Sequence, residues 1–142
     1  MSDISSTFIG KTNLYEILKK SYLERSLSHS IIIYGEKGIG KSTFVRFLTV
    51  QIFNNFKDPH IIESQVNHIS LINSNAHPNY ILVDKEKDEK SKKLRNFIVI
   101  DQIRNLESFI YQTSLYIHLP KLILIDNADQ LNKNAANALL KI

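Results

Sequence analysis

The chain has 142 residues, 43% of them hydrophobic, with a formal charge of +4 and no cysteine. That length and composition support one domain with its own core, and the missing thiols exclude a disulfide framework and any thiolate zinc site. The opening MSDISSTFIGK lacks the basic start and apolar centre of a signal peptide, and no apolar run approaches the roughly 18 residues of a membrane span, so the expectation is a soluble cytoplasmic protein.

Taken along the chain, TNLYEILKKSYLERSLS places Leu14, Ile17, Leu18 and Tyr22 at helical spacing, with Thr12 or Asn13 as candidate cap and Glu16 in the first turn. SIIIY, residues 30–34, reads as a fully buried strand. It is short, β-branched and apolar without alternation, as when both faces of a parallel sheet are covered. The loop Gly35–Gly40 follows. A helix from about Lys41 to Asn55 comes next, with Phe44, Phe47, Leu48, Ile52 and Phe56 stepping by three or four.

Asp58-Pro59 breaks that pattern, and Ile62, Val66 and Ile69 predict a further helix within 61–72. Pro78 turns the chain into a strand, Tyr80–Val83. The dense run DKEKDEKSKKLRN, carrying both signs, reads as a solvated loop rather than a specific basic patch. After a short apolar segment, Asp101 is the candidate cap of a helix with Ile103, Leu106, Phe109 and Ile110 on one side. KLILID, residues 121–126, is another buried strand, and NKNAANALLKI opens a last helix. Strands alternating with helices predict an α/β sandwich with a mainly parallel sheet.

GEKGIGKS, from Gly35 to Ser42, fits the phosphate-loop pattern G-x-x-x-x-G-K-[ST] at every fixed position. Gly35, Gly38 and Gly40 permit backbone angles that a Cβ forbids, so successive N–H groups turn toward one anion. The helix starting near Lys41 adds its positive end. The expected nucleotide contacts are Gly35, Glu36, Lys37, Gly38, Ile39, Gly40, Lys41, Ser42 and Thr43. Lys41 is expected on the β- and γ-phosphates and the Ser42 hydroxyl on Mg²⁺. Lys37 occupies a variable position and is expected to face solvent.

A phosphate-loop site commonly has a second carboxylate at the end of a neighbouring apolar strand, on the magnesium side. Asp126 stands there; the alternative is a helix cap or turn residue. The next residue is Asn127, where many such ATPases carry Glu, and an amide cannot take a proton. Losing a positioned base costs about 10²–10⁴ in rate, so nucleotide binding is favoured over fast hydrolysis. Asn132-Lys133-Asn134-Ala135 begins like a guanine-reading element but has Ala135 where Asp is required, which leaves ATP as the expected nucleotide.

These residues together resemble the delta-prime family of bacterial DNA polymerase III clamp-loader subunits, which are AAA+ proteins. FIGKTNLYEILKKSYLERSLSHSIIIYGEKGIGKSTF looks like the family's opening, and AHPNYILVD, IVIDQIRNL and KLILIDNADQLNKNAANALLK like its later segments. The gamma/tau subunits share much of this but normally have Asp-Glu in the second motif, so Asn127 tilts the resemblance to delta-prime. The resemblance implies a P-loop three-layer sandwich, with residues 1–142 a partial AAA+ nucleotide-binding domain lacking lid and collar. It implies ATP and Mg²⁺ as ligands, with Ser42 and Asp126 on the metal side, and a loose match of Ile9 and Gly10 to an adenine-contacting opening. The implied partners are gamma/tau and delta subunits, with the sliding clamp and primed DNA reached through the assembly. The implied role is that of a stator with little hydrolysis of its own. The alternatives are an active gamma/tau-type ATPase and a P-loop small-molecule kinase; against the kinase, the chain has no Arg-rich lid.

The sequence departs from the family in two further ways. Many members carry a four-cysteine zinc module after the P-loop helix; residues 59–77 offer only His60, His68 and His77, read as scattered surface residues, and no zinc is expected. In the family's sheet the P-loop strand and the strand at 121–126 are first and third in sequence, with a later strand between them. That strand is not reached by Ile142, so a truncated piece or part of a longer protein is expected, with apolar edges exposed.

Overall fold

A computed structural model describes residues 12–57, 67–88 and 91–142. The chain divides into two compact units, residues 1–77 and 78–142, each with its own internal contacts. No helix among the described residues is long and apolar enough to cross a membrane.

The first unit is helical. Helix α1 spans Thr12–Leu23, α2 spans Lys41–Phe53 and α3 spans His68–Asn73. Thr12 already lies within α1, so neither Thr12 nor Asn13 is its cap. The α1 stripe meets α2 through aromatic rings: Tyr15 lies 5.7 Å from Phe47, and Phe56, just past α2, lies 6.1 Å from Tyr15 and 5.5 Å from Tyr22, centroid to centroid. The amphipathic pattern predicted for α2 holds only over its first turns. From Leu48 to Phe53 every residue is buried, Thr49 and Gln51 included, as in a helix covered on all sides. Thr49 meets its hydroxyl's requirement by donating to the Val45 carbonyl at 2.9 Å. Of the helix predicted within 61–72, the described part is α3; Asn67 caps it, accepting from the Ser70 N–H at 3.0 Å, and residues 58–66 lie outside the described ones.

The buried strand predicted at 30–34 does not form. Among the described residues they have no ladder partner, and Ile32 and Tyr34 are 87% and 91% exposed. A β-branched apolar run becomes a strand only where another strand supplies the hydrogen bonds, and none among the described residues does so.

The second unit holds a parallel pair, β1 (Tyr80–Val83) and β2 (Leu122–Ile125), in the register Tyr80↔Leu122 to Val83↔Ile125. Helix α4 (Ile100–Tyr111) lies between them in sequence, and a 3₁₀ turn (Ala128–Gln130) and helix α5 (Lys133–Leu139) follow. Side chains alternate across a strand, so Ile81, Val83, Ile123 and Ile125 share one face. That face packs with Ile98, Ile103, Leu106 and Ala135 from the α4 and α5 region. The α/β character and parallel pairing follow the expectation, whereas the sheet has two strands among the described residues and β2 is half-buried rather than buried.

Caps fix the helix ends. Val99, not Asp101, precedes α4; its N–H donates to Gln102 Oε1 at 3.1 Å, and Gln102 Nε2 donates to the Asp84 carbonyl at 2.7 Å. At the other end the Lys121 ammonium donates to the carbonyls of Phe109, Gln112 and, at 2.9 Å, Ile110. Asn132 caps α5 by accepting from the Ala135 N–H at 2.8 Å. Asn79 is fully buried: its amide donates to the Tyr116 and Leu119 carbonyls at 3.1 and 2.9 Å, and it accepts from Ser114. One side chain thereby holds the loop that leads from α4 to β2.

Candidate functional site: a phosphate loop and the ends of two strands

Gly35 to Gly40 form the turn that enters α2. Gly38 and Gly40 have φ of +86° and +84°, the left-handed region that costs an L-residue about 1–2 kcal/mol. Nothing lies within 4 Å of a Cβ built at either, so the backbone angle, and not crowding, demands glycine there. Gly35 is different: an added Cβ would sit 2.8 Å from Ile39 Cδ1. Gly40 is the N-cap of α2 and brings no capping side chain. The first N–H groups of this 13-residue helix are therefore left to another acceptor, and the helix dipole favours an anion at that spot.

Lys41 folds back over the turn. Its Nζ donates to the carbonyls of Gly35 and Glu36 at 3.0 and 2.8 Å, so the ammonium is held above the loop rather than out in solvent. Residues 35–39 are exposed; Lys41, Ser42 and Thr43 are half-exposed at the helix head. Donor groups, a fixed cation and open access fit a polyphosphate chain. The Ser42 hydroxyl stands beside Lys41 in the first turn, where it fits the role of a hard oxygen ligand.

Asp126 follows β2 at its carboxyl end. Its N–H donates to the Val83 carbonyl at 2.9 Å, extending the parallel ladder by one step, and its Oδ1 accepts from the Asn127 N–H at 3.0 Å. Asn127 is left-handed, with φ +56° and ψ +53°, so the chain bends sharply after the carboxylate. Asp129 is exposed in the turn beyond. The phosphate loop lies in the first unit and Asp126 in the second.

Two features escaped the sequence reading. Asp84 follows β1 as Asp126 follows β2, and the register sets the two carboxylates at adjacent ends of neighbouring parallel strands, the edge where open α/β sheets take ligands. The signal was present: YILV and LILI both end on Asp. The second feature corrects the histidines. His68 and His77 are buried, not on the surface, with Nδ1 of one 2.9 Å from Nε2 of the other. His77 also stacks on Phe53 at 4.3 Å and 11°. Helix α3 begins at His68 and the chain returns at His77, which brings together residues nine apart in sequence. Burial lowers both pKa values, that of His77 to about 4 with a further push from His68. Among the described residues no three metal-ligating side chains gather; His60 lies outside those residues.

A glycine turn opens α2 beneath a folded-back lysine, and a parallel strand pair packs with two helices: the described residues form a mixed α/β protein. The family described as "DNA polymerase III, delta subunit" matches residues 10–142. The chain therefore belongs to the DNA polymerase III delta-subunit family. It is also 31% identical over 114 residues to DNA polymerase III subunit delta' of Pseudomonas aeruginosa strain PAO1. That match takes in 80% of this chain and 33% of the relative, so the chain spans about a third of that protein's length.

Proposed function

We propose that residues 35–43 bind Mg·ATP and that the chain is the nucleotide-binding part of a delta-prime clamp-loader subunit in bacterial DNA replication. The observation that carries the nucleotide reading is the shape of the loop: two left-handed glycines, a helix start without a side-chain cap, and Lys41 held over the turn. Membership of the family and the likeness to subunit delta' support the assembly. In this reading the amides from Gly38 to Thr43 surround the phosphates, Lys41 takes the β- and γ-phosphates, and Ser42 serves the metal. Bound magnesium supplies charge neutralisation on the phosphate oxygens.

Asn127 decides between holding and hydrolysing. Its amide is no base, so the subunit holds ATP and serves as a stator for gamma/tau and delta partners around the sliding clamp and primed DNA, in the cytoplasm. Calorimetry with Mg·ATP tests the site. The expected result is saturable binding to the wild-type chain, weakened about tenfold or more in Lys41→Ala, with no turnover when clamp and primed DNA are added. Absence of binding to folded protein would remove the nucleotide reading. Turnover that survives when every neighbouring site is inactivated would replace the stator with an active gamma/tau-type ATPase.

A further inference from the structure

Three of the six residues from Gly35 to Gly40 are glycine, the residue that loses most conformational freedom when a chain is ordered. Such a loop keeps one shape only where something holds it. Lys41 is one hold, through its bonds to the Gly35 and Glu36 carbonyls at 3.0 and 2.8 Å. A polyphosphate competes for that hold, because it draws on the same ammonium.

Ile39 is a second. A Cβ placed on Gly35 would sit 2.8 Å from Ile39 Cδ1, with Ile39 Cγ1 and the Lys41 Cδ next at 3.9 Å. The space in front of Gly35 is thus filled by a δ-methyl group and bordered by the lysine stem. At Gly38 and Gly40 the same space is empty to 4 Å. Ile39 carries the loop's single apolar side chain, and that side chain closes on the residue that opens the loop, four positions earlier. It is 50% exposed, so the contact is made on the surface of the loop and not inside a core.

We propose that Ile39 is a positioning residue of the phosphate loop: its δ-methyl group, laid against Gly35, keeps the loop in its anion-binding shape before nucleotide arrives. The inference rests on the nucleotide reading and deepens it by naming the side chain that sets the loop's readiness. Branching at Cβ stiffens the isoleucine side chain and aims the methyl group. Dispersion contacts weaken steeply as a gap opens, so loss of that one group releases the contact. Unlike Lys41, Ile39 has no polar atom for the ligand to compete for, and its hold persists when phosphate is bound. A loop ordered in advance leaves less ordering cost to be met on binding.

Calorimetry of the full chain with Mg·ATP and with Mg·tripolyphosphate tests the proposal. Ile39→Val deletes the contacting methyl group and keeps the β-branch; it is expected to weaken both ligands by about fourfold, the worth of one methyl group removed from contact. Its urea midpoint is expected to match wild type, because the position is half-exposed. Ile39→Leu keeps a δ-methyl group and is expected to stay within about twofold of wild type. Gly35→Ala is expected to bind more weakly than Ile39→Val, and Gly35→Ala/Ile39→Val to recover part of that loss, since the second change removes the atom that the new Cβ strikes. Unchanged affinity in Ile39→Val beside a normal wild-type isotherm would overturn the proposal and leave the nucleotide reading standing; no binding by folded wild type would remove both. Equal losses in the Val and Leu variants would trace the effect away from the methyl contact. A loss with ATP but not with tripolyphosphate would make Ile39 a contact of the nucleoside. Either of these last results also overturns the positioning role.

Discussion

At Gly38, Gly40 and Asn127 the backbone turns left-handed, and each position answers a different need. Gly40 ends the loop where α2 must begin without a capping side chain, so its substitution strikes both the turn and the anion cradle. Gly40→Ala is expected to cost about 1–2 kcal/mol in urea unfolding. The same variant should weaken Mg·ATP more than that stability loss alone explains, since the helix N–H groups lose their aim. Asn127 is the polar counterpart. Asn is among the residues that tolerate this region best, and its N–H donates to the Asp126 carboxylate at 3.0 Å. Asn127→Gly is therefore expected to leave stability within about 0.5 kcal/mol of wild type, and Asn127→Glu to lose about 1 kcal/mol. Equal stability of the Glu and Gly variants in the same denaturation series would show that the left-handed bend does not constrain this position. Position 127 thus has a conformational reason for Asn that is separate from catalysis.

At the scale of elements, helices and strands are joined by single polar side chains. Lys121 meets the carboxyl end of α4 with three carbonyls under one ammonium, where the helix dipole is negative. Lys121→Met keeps the stem and removes the charge; it is expected to lower stability by about 1–3 kcal/mol in urea unfolding, and an unchanged midpoint would deny the cap its role. The histidine pair joins α3 to the end of α2. A bond between two ring nitrogens needs one donor and one acceptor, and burial favours the neutral rings. With the folded pKa of His77 near 4 and an unfolded value of about 6.5, the unfolded chain binds more protons between those limits. The stabilising contribution is therefore complete above about pH 6.5 and is lost as pH falls toward about 4. By pH 5.5 the loss should reach about 1 kcal/mol. His77→Gln, which can still donate and accept, should flatten that slope; an equally steep slope in the variant would place the titration elsewhere.

Across the whole chain, what could be read from sequence was what is local. The glycine turn at 35–40 and the caps at Asn67 and Asn132 depend on a few neighbouring residues, although only the turn was foreseen. YILV and LILI were recognised as strands because their apolar runs end cleanly, and the register then placed Asp84 beside Asp126. The meeting of His68 with His77 depends on how the chain returns on itself, which no window of sequence contains. Segment 30–34 is the sharpest case: its composition is that of a buried strand, yet a strand exists only with a neighbour. Ile32 and Tyr34 stand 87% and 91% exposed, whereas Leu48 of α2 is 6% exposed. Ile32→Thr/Tyr34→Ser should therefore change the urea midpoint by less than the equivalent of about 0.5 kcal/mol, and it should reduce self-association in light scattering, because an open apolar run is a template for pairing. Leu48→Ala, in the same unit, should lose about 2–5 kcal/mol through the cavity it leaves. A loss above about 1 kcal/mol in the double variant would mean that 30–34 is packed as a strand after all.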